Sequence, residues 1–129
     1  MVNIETSVGE LLDKISILKI KKEKIVIESK LNNIQKELES LLEIAEPLKD
    51  IDPDQFSNFM GQLIDINLNL WETEDRIRLL EKSQSFDEHF IELARNVYFT
   101  NDKRFDKKSE INNFYNSGII EEKQYEKYD

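Results

Sequence analysis

Ser85–Tyr115, SFDEHFIELARNVYFTNDKRFDKKSEINNFY, is the stretch whose reading decides the fold. It opens as a helix start. Ser85 can accept from a first-turn amide while Glu88, three residues on, reaches back to the Ser85 N–H, a reciprocal capping box. Phe90, Ala94 and Val97, with Tyr98 beside them, then recur on one helical face. Further on the same stripe turns polar at Asn101, Arg104 and Lys108, before Ile111 and Tyr115 restore it. A face that passes from apolar side chains to an amide, a guanidinium and an ammonium is either wet or met by charged partners.

Upstream, Asp52 followed by Pro53 is a strong start signal, a capping carboxylate with proline at the first helical position. The helix it begins carries Phe56, Phe59, Met60, Leu63, Ile64, Leu70, Trp71, Ile77 and Leu80 at helical spacing, interrupted by Asn67 and Glu74. Lys82–Ser85 is a tight connection, so the helices on either side should be antiparallel neighbours. Earlier still, Ser7-Val8-Gly9-Glu10 is a second capping box. Val8, Leu11, Ile15, Leu18, Lys22 and Ile25 hold one heptad-like frame of coiled-coil type, and Leu31, Ile34, Leu38, Leu41 and Ala45 hold another. The frames are offset by six residues where a continuous stripe needs seven or four, and Ile25, Val26 and Ile27 are β-branched. A kink or short break near Val26 to Lys30 is expected. Pro47 and the Asp50–Asp54 run end this arm, and Asn116-Ser117-Gly118 stops the last helix.

The expectation is a single all-α domain over 1–129. It is an antiparallel bundle of three long helices near 7–45 (kinked or broken around 26–30), 53–82 and 86–115, with a short tail at 116–129. Ile119, Ile120, Tyr125 and Tyr128 give that tail apolar side chains with which to dock.

Composition agrees. Charged residues make up 35% of the chain against three Gly and two Pro, which favours long helices. A net charge of −9 argues against general nucleic-acid binding, which needs surplus Lys and Arg on the contacting face. The basic knot Lys19, Lys21, Lys22 and Lys24 reads as a solvated helix face. Absence of Cys excludes disulfides and thiolate metal sites. Met1-Val2-Asn3-Ile4-Glu5 lacks a basic n-region, and no long apolar run follows, so no secretory signal or membrane span is expected; the default compartment is cytoplasmic.

Folding the two later helices about Gln84 sets Asn67 level with Asn101 and Glu74 level with Ala94 and Arg95, to about one helical turn. Asn67, Asn101 and Arg104, with Asn32, then share a layer. One reading is a buried polar layer that fixes helix register, as a lone Asn does in coiled coils. The other is an interhelical pocket for an anionic or hydroxyl-rich ligand. It would use Asn67, Asn101, Asp102, Arg104 and Lys108, with Arg104 as the anion fork. Glu72, Glu74 and Asp75, facing Glu88 and Glu92, could in principle hold a divalent cation. Nearby Arg76, Arg78 and Arg95 explain them equally as surface pairs, so neither metal nor cofactor is assigned. His89 has no second imidazole or thiol to work with, and Trp71 sits at core spacing. Nothing matches a phosphate-cradling Gly-rich loop, a nucleophile elbow or a zinc-protease helix.

Several segments together resemble a family of uncharacterised bacterial proteins classed as a domain of unknown function. They are Ser7–Ile15, Leu70-Trp71-Glu72 with Glu74-Asp75, Phe90–Arg95 with Val97-Tyr98, Thr100-Asn101-Asp102 with Arg104 and Lys108, and Glu121-Glu122-Lys123 with Tyr125. The resemblance runs over nearly the whole chain, and Thr100-Asn101-Asp102 is its most specific part. It implies a bacterial or phage origin and, because some members accompany glycosyltransferases, a carbohydrate or cell-envelope context. It implies no activity. Relatives often carry a proline near Glu28 to Lys30, where this chain has none.

Two functional expectations follow: a non-catalytic helical interaction or oligomerisation module, and a small-ligand binder or enzyme using the polar layer. Ile15, Leu18 and Ile25 share one stripe of the first helix while Ile17, Ile20 and Ile27 form a second, rotated from it. Two neighbouring helices hardly cover both, so a homodimer through the first helix is expected.

Overall fold

The computed structural model describes residues 1–118, 121–124 and 126–128. Among them are four α-helices and no strand: α1 (Val8–Lys24), α2 (Glu28–Ile51), α3 (Pro53–Lys82) and α4 (Glu88–Phe114). The all-α class holds, and the count of three long helices is corrected to four. Ile25 and Ile27 are extended (φ −86°, ψ 136° and φ −77°, ψ 118°), so the first arm is interrupted outright at its three β-branched residues. The six-residue offset explains the separation. On one continuous helix the second stripe would sit about 100° away from the first and miss the core. Breaking the helix lets α2 turn back, and the Lys14–Glu37 ion pair at 3.7 Å marks the resulting antiparallel hairpin. Leu38 and Ala45 of α2 then join Leu12, Ile15 and Leu18 of α1 in one core with Phe56, Phe59, Met60, Leu63 and Ile111. Each Leu, Ile, Phe or Met side chain of this set, fully buried, contributes about 1.5–3 kcal/mol.

The helices run up, down, up, down. Asp13 and Ser16 of α1 meet Asn67 of α3, while higher up Lys24 meets Glu72. Asn69 meets Asn96 at one level of the α3–α4 pair, and Phe59 stacks edge-on with Phe114 at another. α1 and α3 touch every other helix, whereas α2 and α4 lie on opposite sides of that pair. With three neighbours α1 buries Ile15 and Leu18 of its first stripe and Ile20 of its second, while Ile17 and Ile25 are half-buried and Val26 and Ile27, in the connector after α1, are exposed.

Three boundaries also move. α2 continues through Pro47 to Ile51 instead of stopping near 45. Pro47 lies on the exposed side, so the carbonyl its missing N–H would have bonded is open to water. α4 is capped by Asp87, whose Oδ1 accepts from the Phe90 amide, and not by Ser85. The Ser85 N–H is already committed to Leu80 O at 2.9 Å, closing α3 through Gln84 in the left-handed region (φ 56°). α4 ends the same way, through Asn116 (φ 53°) and a 2.8 Å bond from the Ser117 amide to Asn112 O. Asp52 and Ser7 do cap their helices, accepting from Gln55 and Glu10 amides. Ile119, Ile120 and Tyr125, through which the tail was expected to dock, fall outside the described residues.

Candidate functional site

Gly9, Asp13 and Ser16 recur at four- and three-residue spacing, so α1 carries a narrow polar stripe along a helix that is otherwise apolar inward. Arg104, Lys108 and Asn112 recur every fourth residue on α4 and face it. The seam closes rung by rung. Asn112 Oδ1 accepts from the Gly9 amide at 2.7 Å, and Lys108 Nζ reaches Glu10 Oε2 at 3.2 Å. Arg104 grips Asp13 with Nε on Oδ1 at 2.9 Å and Nη2 on Oδ2 at 2.5 Å. The backbones lie so close that a Cβ on Gly9 would stand 2.6 Å from Lys108 O.

Asp13 is 0% exposed. A buried carboxylate needs its oxygens satisfied, and α3 completes the set. Asn67 Nδ2 donates to Asp13 Oδ1 at 2.9 Å and to Ser16 Oγ at 2.8 Å, while Ser16 Oγ donates to the Asp13 carbonyl at 2.6 Å. The hydrogen bonding that Arg104 donates to the Asp13 carboxylate raises the Arg104 pKa, outweighing the burial that lowers it. Burial works against the Lys108 ammonium too, but Glu121 and Glu10 more than reverse it and its pKa also lies above the ordinary lysine value.

Asn67, Arg104 and Lys108 therefore stand together, joined by carboxylates of α1 that the sequence reading passed over. Asp13 and Asn112 are the residues missed. The signal was the Gly9/Asp13/Ser16 spacing inside an apolar helix. Asn32 is not in the layer, being exposed on α2. Asn101 and Asp102 are half-buried on a different face of α4 and line a groove of about 1030 Å³ shared with the C-terminal tail, where Asp102 accepts from the Tyr128 hydroxyl.

A smaller groove of about 400 Å³ runs between α3 and α4. Its polar wall is a chain of short side chains: Asn96 Nδ2 donates to Asn69 Oδ1 and Thr73 Oγ1, both at 2.8 Å, and Thr100 Oγ1 donates to Asn96 Oδ1 at 3.2 Å. His89 and Glu92 border it, both exposed. Neither groove is lined by Asn67, Arg104 or Lys108. Among the described residues no three His, Cys, Asp or Glu side chains are placed to hold a metal ion, and no helix is long and apolar enough to cross a membrane. Chemically, the Asp13 layer binds helices to one another. Its carboxylate is shut away from water and already takes three donors.

Comparison with known proteins gives one relationship: residues 2–128 match the model of a family described as of unknown function, DUF6165. No curated protein and no solved structure matches.

Proposed function

Since the chain belongs to that family of unknown function, a relationship that assigns no activity, we propose that it is a non-catalytic helical interaction module whose polar layer sets helix register. One observation carries this reading: Asp13, fully buried, is held by both oxygens by Arg104 and further by Asn67. The guanidinium that an anionic ligand would need is turned to a partner inside the protein. The ligand-pocket alternative needs that fork open. Binding then falls to the outer surface, where Val26, Ile27, Leu79, Phe86 and Ile91 are large exposed apolar side chains. A second copy, meeting the end of α1 at Val26 and Ile27, is the first partner in this reading. A bacterial cytoplasmic protein, with a glycosyltransferase as the candidate suggested by the family resemblance, is the next.

Native mass spectrometry of the chain purified from its own cells tests it. The reading expects the mass of a protein–protein complex with no small-molecule adduct. A stoichiometric small molecule that Arg104→Lys abolishes, or a bare monomer, would overturn it.

A further inference from the structure

The described tail residues run along α4 from its α1-facing edge at Lys108 to the groove beside Asp102. Glu121 Oε2 is 2.6 Å from Lys108 Nζ, Lys123 Nζ stands 5.2 Å over the Phe105 ring, and Tyr128 bonds to Asp102 and stacks edge-on with Phe99 at 5.1 Å. As the tail number rises the helix number falls, so the tail runs antiparallel to α4. Residues 121–124 and 126–128 are non-helical. Tail and helix between them border the groove of about 1030 Å³, with Tyr98, Asn101 and Phe105 on the helix side. The contacts form a readable pattern: a carboxylate on a buried ammonium, a cation two residues later on an aromatic face, and a phenol five residues after that on a carboxylate. Lys108 is 7% exposed with the tail in place, and Glu10 of α1 holds its ammonium from the other side at 3.2 Å, so the cation that takes the carboxylate is positioned by the fold. Tyr128, by contrast, is 56% exposed, so the far end of the tail is open to solvent.

We propose that this track along α4, from Lys108 to Phe99, is a docking site for an extended peptide segment of a partner protein, and that the chain's own tail occupies it in cis. The partner segment carries the tail's chemistry: an acidic residue for Lys108, a basic residue two positions on for Phe105, and a Tyr for Asp102 and the Phe99 edge. This names the partner surface of the interaction module and rests on that reading. Because the tail is tethered, it competes at an effective concentration in the millimolar range. A peptide in trans must therefore bind poorly until the tail is loosened.

The test uses full-length chain and a fluorescent peptide of residues 119–129, followed by anisotropy, with circular dichroism as the fold control. Wild type is expected to bind the peptide at least about tenfold more weakly than a full-length Glu121→Gln/Tyr128→Phe variant, following the tethered competition. Adding Phe105→Ala or Asp102→Ala to that variant should remove the gain. Equal binding to wild type and variant, binding untouched by both groove substitutions, or no binding at all would overturn the proposal. Such a failure beside an intact native complex would leave the module reading standing; a chain without any protein partner would overturn both, even if it takes the peptide.

Discussion

Arg104 and Asp13, 91 residues apart in the chain, meet through both carboxylate oxygens, at 2.9 and 2.5 Å, with the Asp13 side chain 1% and the Arg104 side chain 27% exposed. The pair joins α1 to α4, and Asn67 extends it to α3. One rung thus fixes three helices, and every α1–α4 rung below it repeats the same antiparallel register. Polar pairing of this kind specifies which helix faces meet, a job that apolar stripes alone leave loosely defined.

Glycine at position 9 is required by the closeness of that seam. Gly9→Ala should destabilise the chain by about 1–3 kcal/mol, since the new Cβ would stand 2.6 Å from a backbone oxygen that cannot move aside alone. Gly61→Ala is the control. Nothing lies within 4 Å of a Cβ there, and the same substitution should stabilise by about 0.5–1 kcal/mol through helix propensity. Urea unfolding of both variants checks the contrast; equal shifts would refute the close approach.

Alkaline stability should depend on Lys108 and Tyr115. Glu121 and Glu10 hold the Lys108 proton more tightly in the folded state, and burial, with Asp52, does the same for the Tyr115 hydroxyl. Both folded pKa values lie above their ordinary ones, so the folded chain binds more protons as these groups titrate. Their stabilisation is complete below about pH 10 and is lost as pH rises through the folded values. Lys108→Met and Tyr115→Phe should each flatten the alkaline limb of a stability–pH curve. Tyr115→Phe should lose little at pH 7, because the hydroxyl has no hydrogen-bond partner among the described residues. An unchanged alkaline limb in both variants would contradict the assignment.

The legible parts of this fold were those written in local chemistry. Asp52-Pro53 starts α3 where the sequence places it, and Ser7 caps α1, because caps act within four residues. The three β-branched residues and the six-residue offset located the interruption, yet the reading joined two antiparallel helices into one arm. A frame offset gives the rotation of the next stripe and not the direction of the next helix. Ser85 misled for a related reason. Its amide was spent closing α3, a bond that depends on Gln84 adopting a left-handed conformation usually left to Gly or Asn. In the site, Asn67, Arg104 and Lys108 were found by the polar side chains they place on apolar stripes. Asp13 was not, because its weight comes from burial between two distant helices. Asn101 was grouped with Arg104 by its place on the α4 stripe and its level with Asn67, yet it lines the groove beside the tail; Asp102, two residues and about 200° from Arg104, is turned to that groove by the helix itself.

Self-association can be read in solution. Light scattering at tens of micromolar should report twice the chain mass of 15.3 kDa. Val26→Asp with Ile27→Asp should return the monomer with helicity intact, because these side chains are 85% and 52% exposed. Ile20, placed on the second stripe of the first helix, is 5% exposed and belongs to the interior, so a charge there would unfold the bundle and not report on the interface. A wild-type monomer across that range would end the dimer proposal.

A double-mutant cycle on Asp13 and Arg104, followed by chemical denaturation, tests the register-setting layer most directly. Arg104→Met alone strands a buried carboxylate and should cost about 3–5 kcal/mol, and Asp13→Leu alone should cost a similar amount. The double variant should recover most of the loss, giving a coupling energy of about 2 kcal/mol or more. Arg104→Met with unchanged stability and no coupling to Asp13 would contradict the account, since the guanidinium would then be free for a ligand.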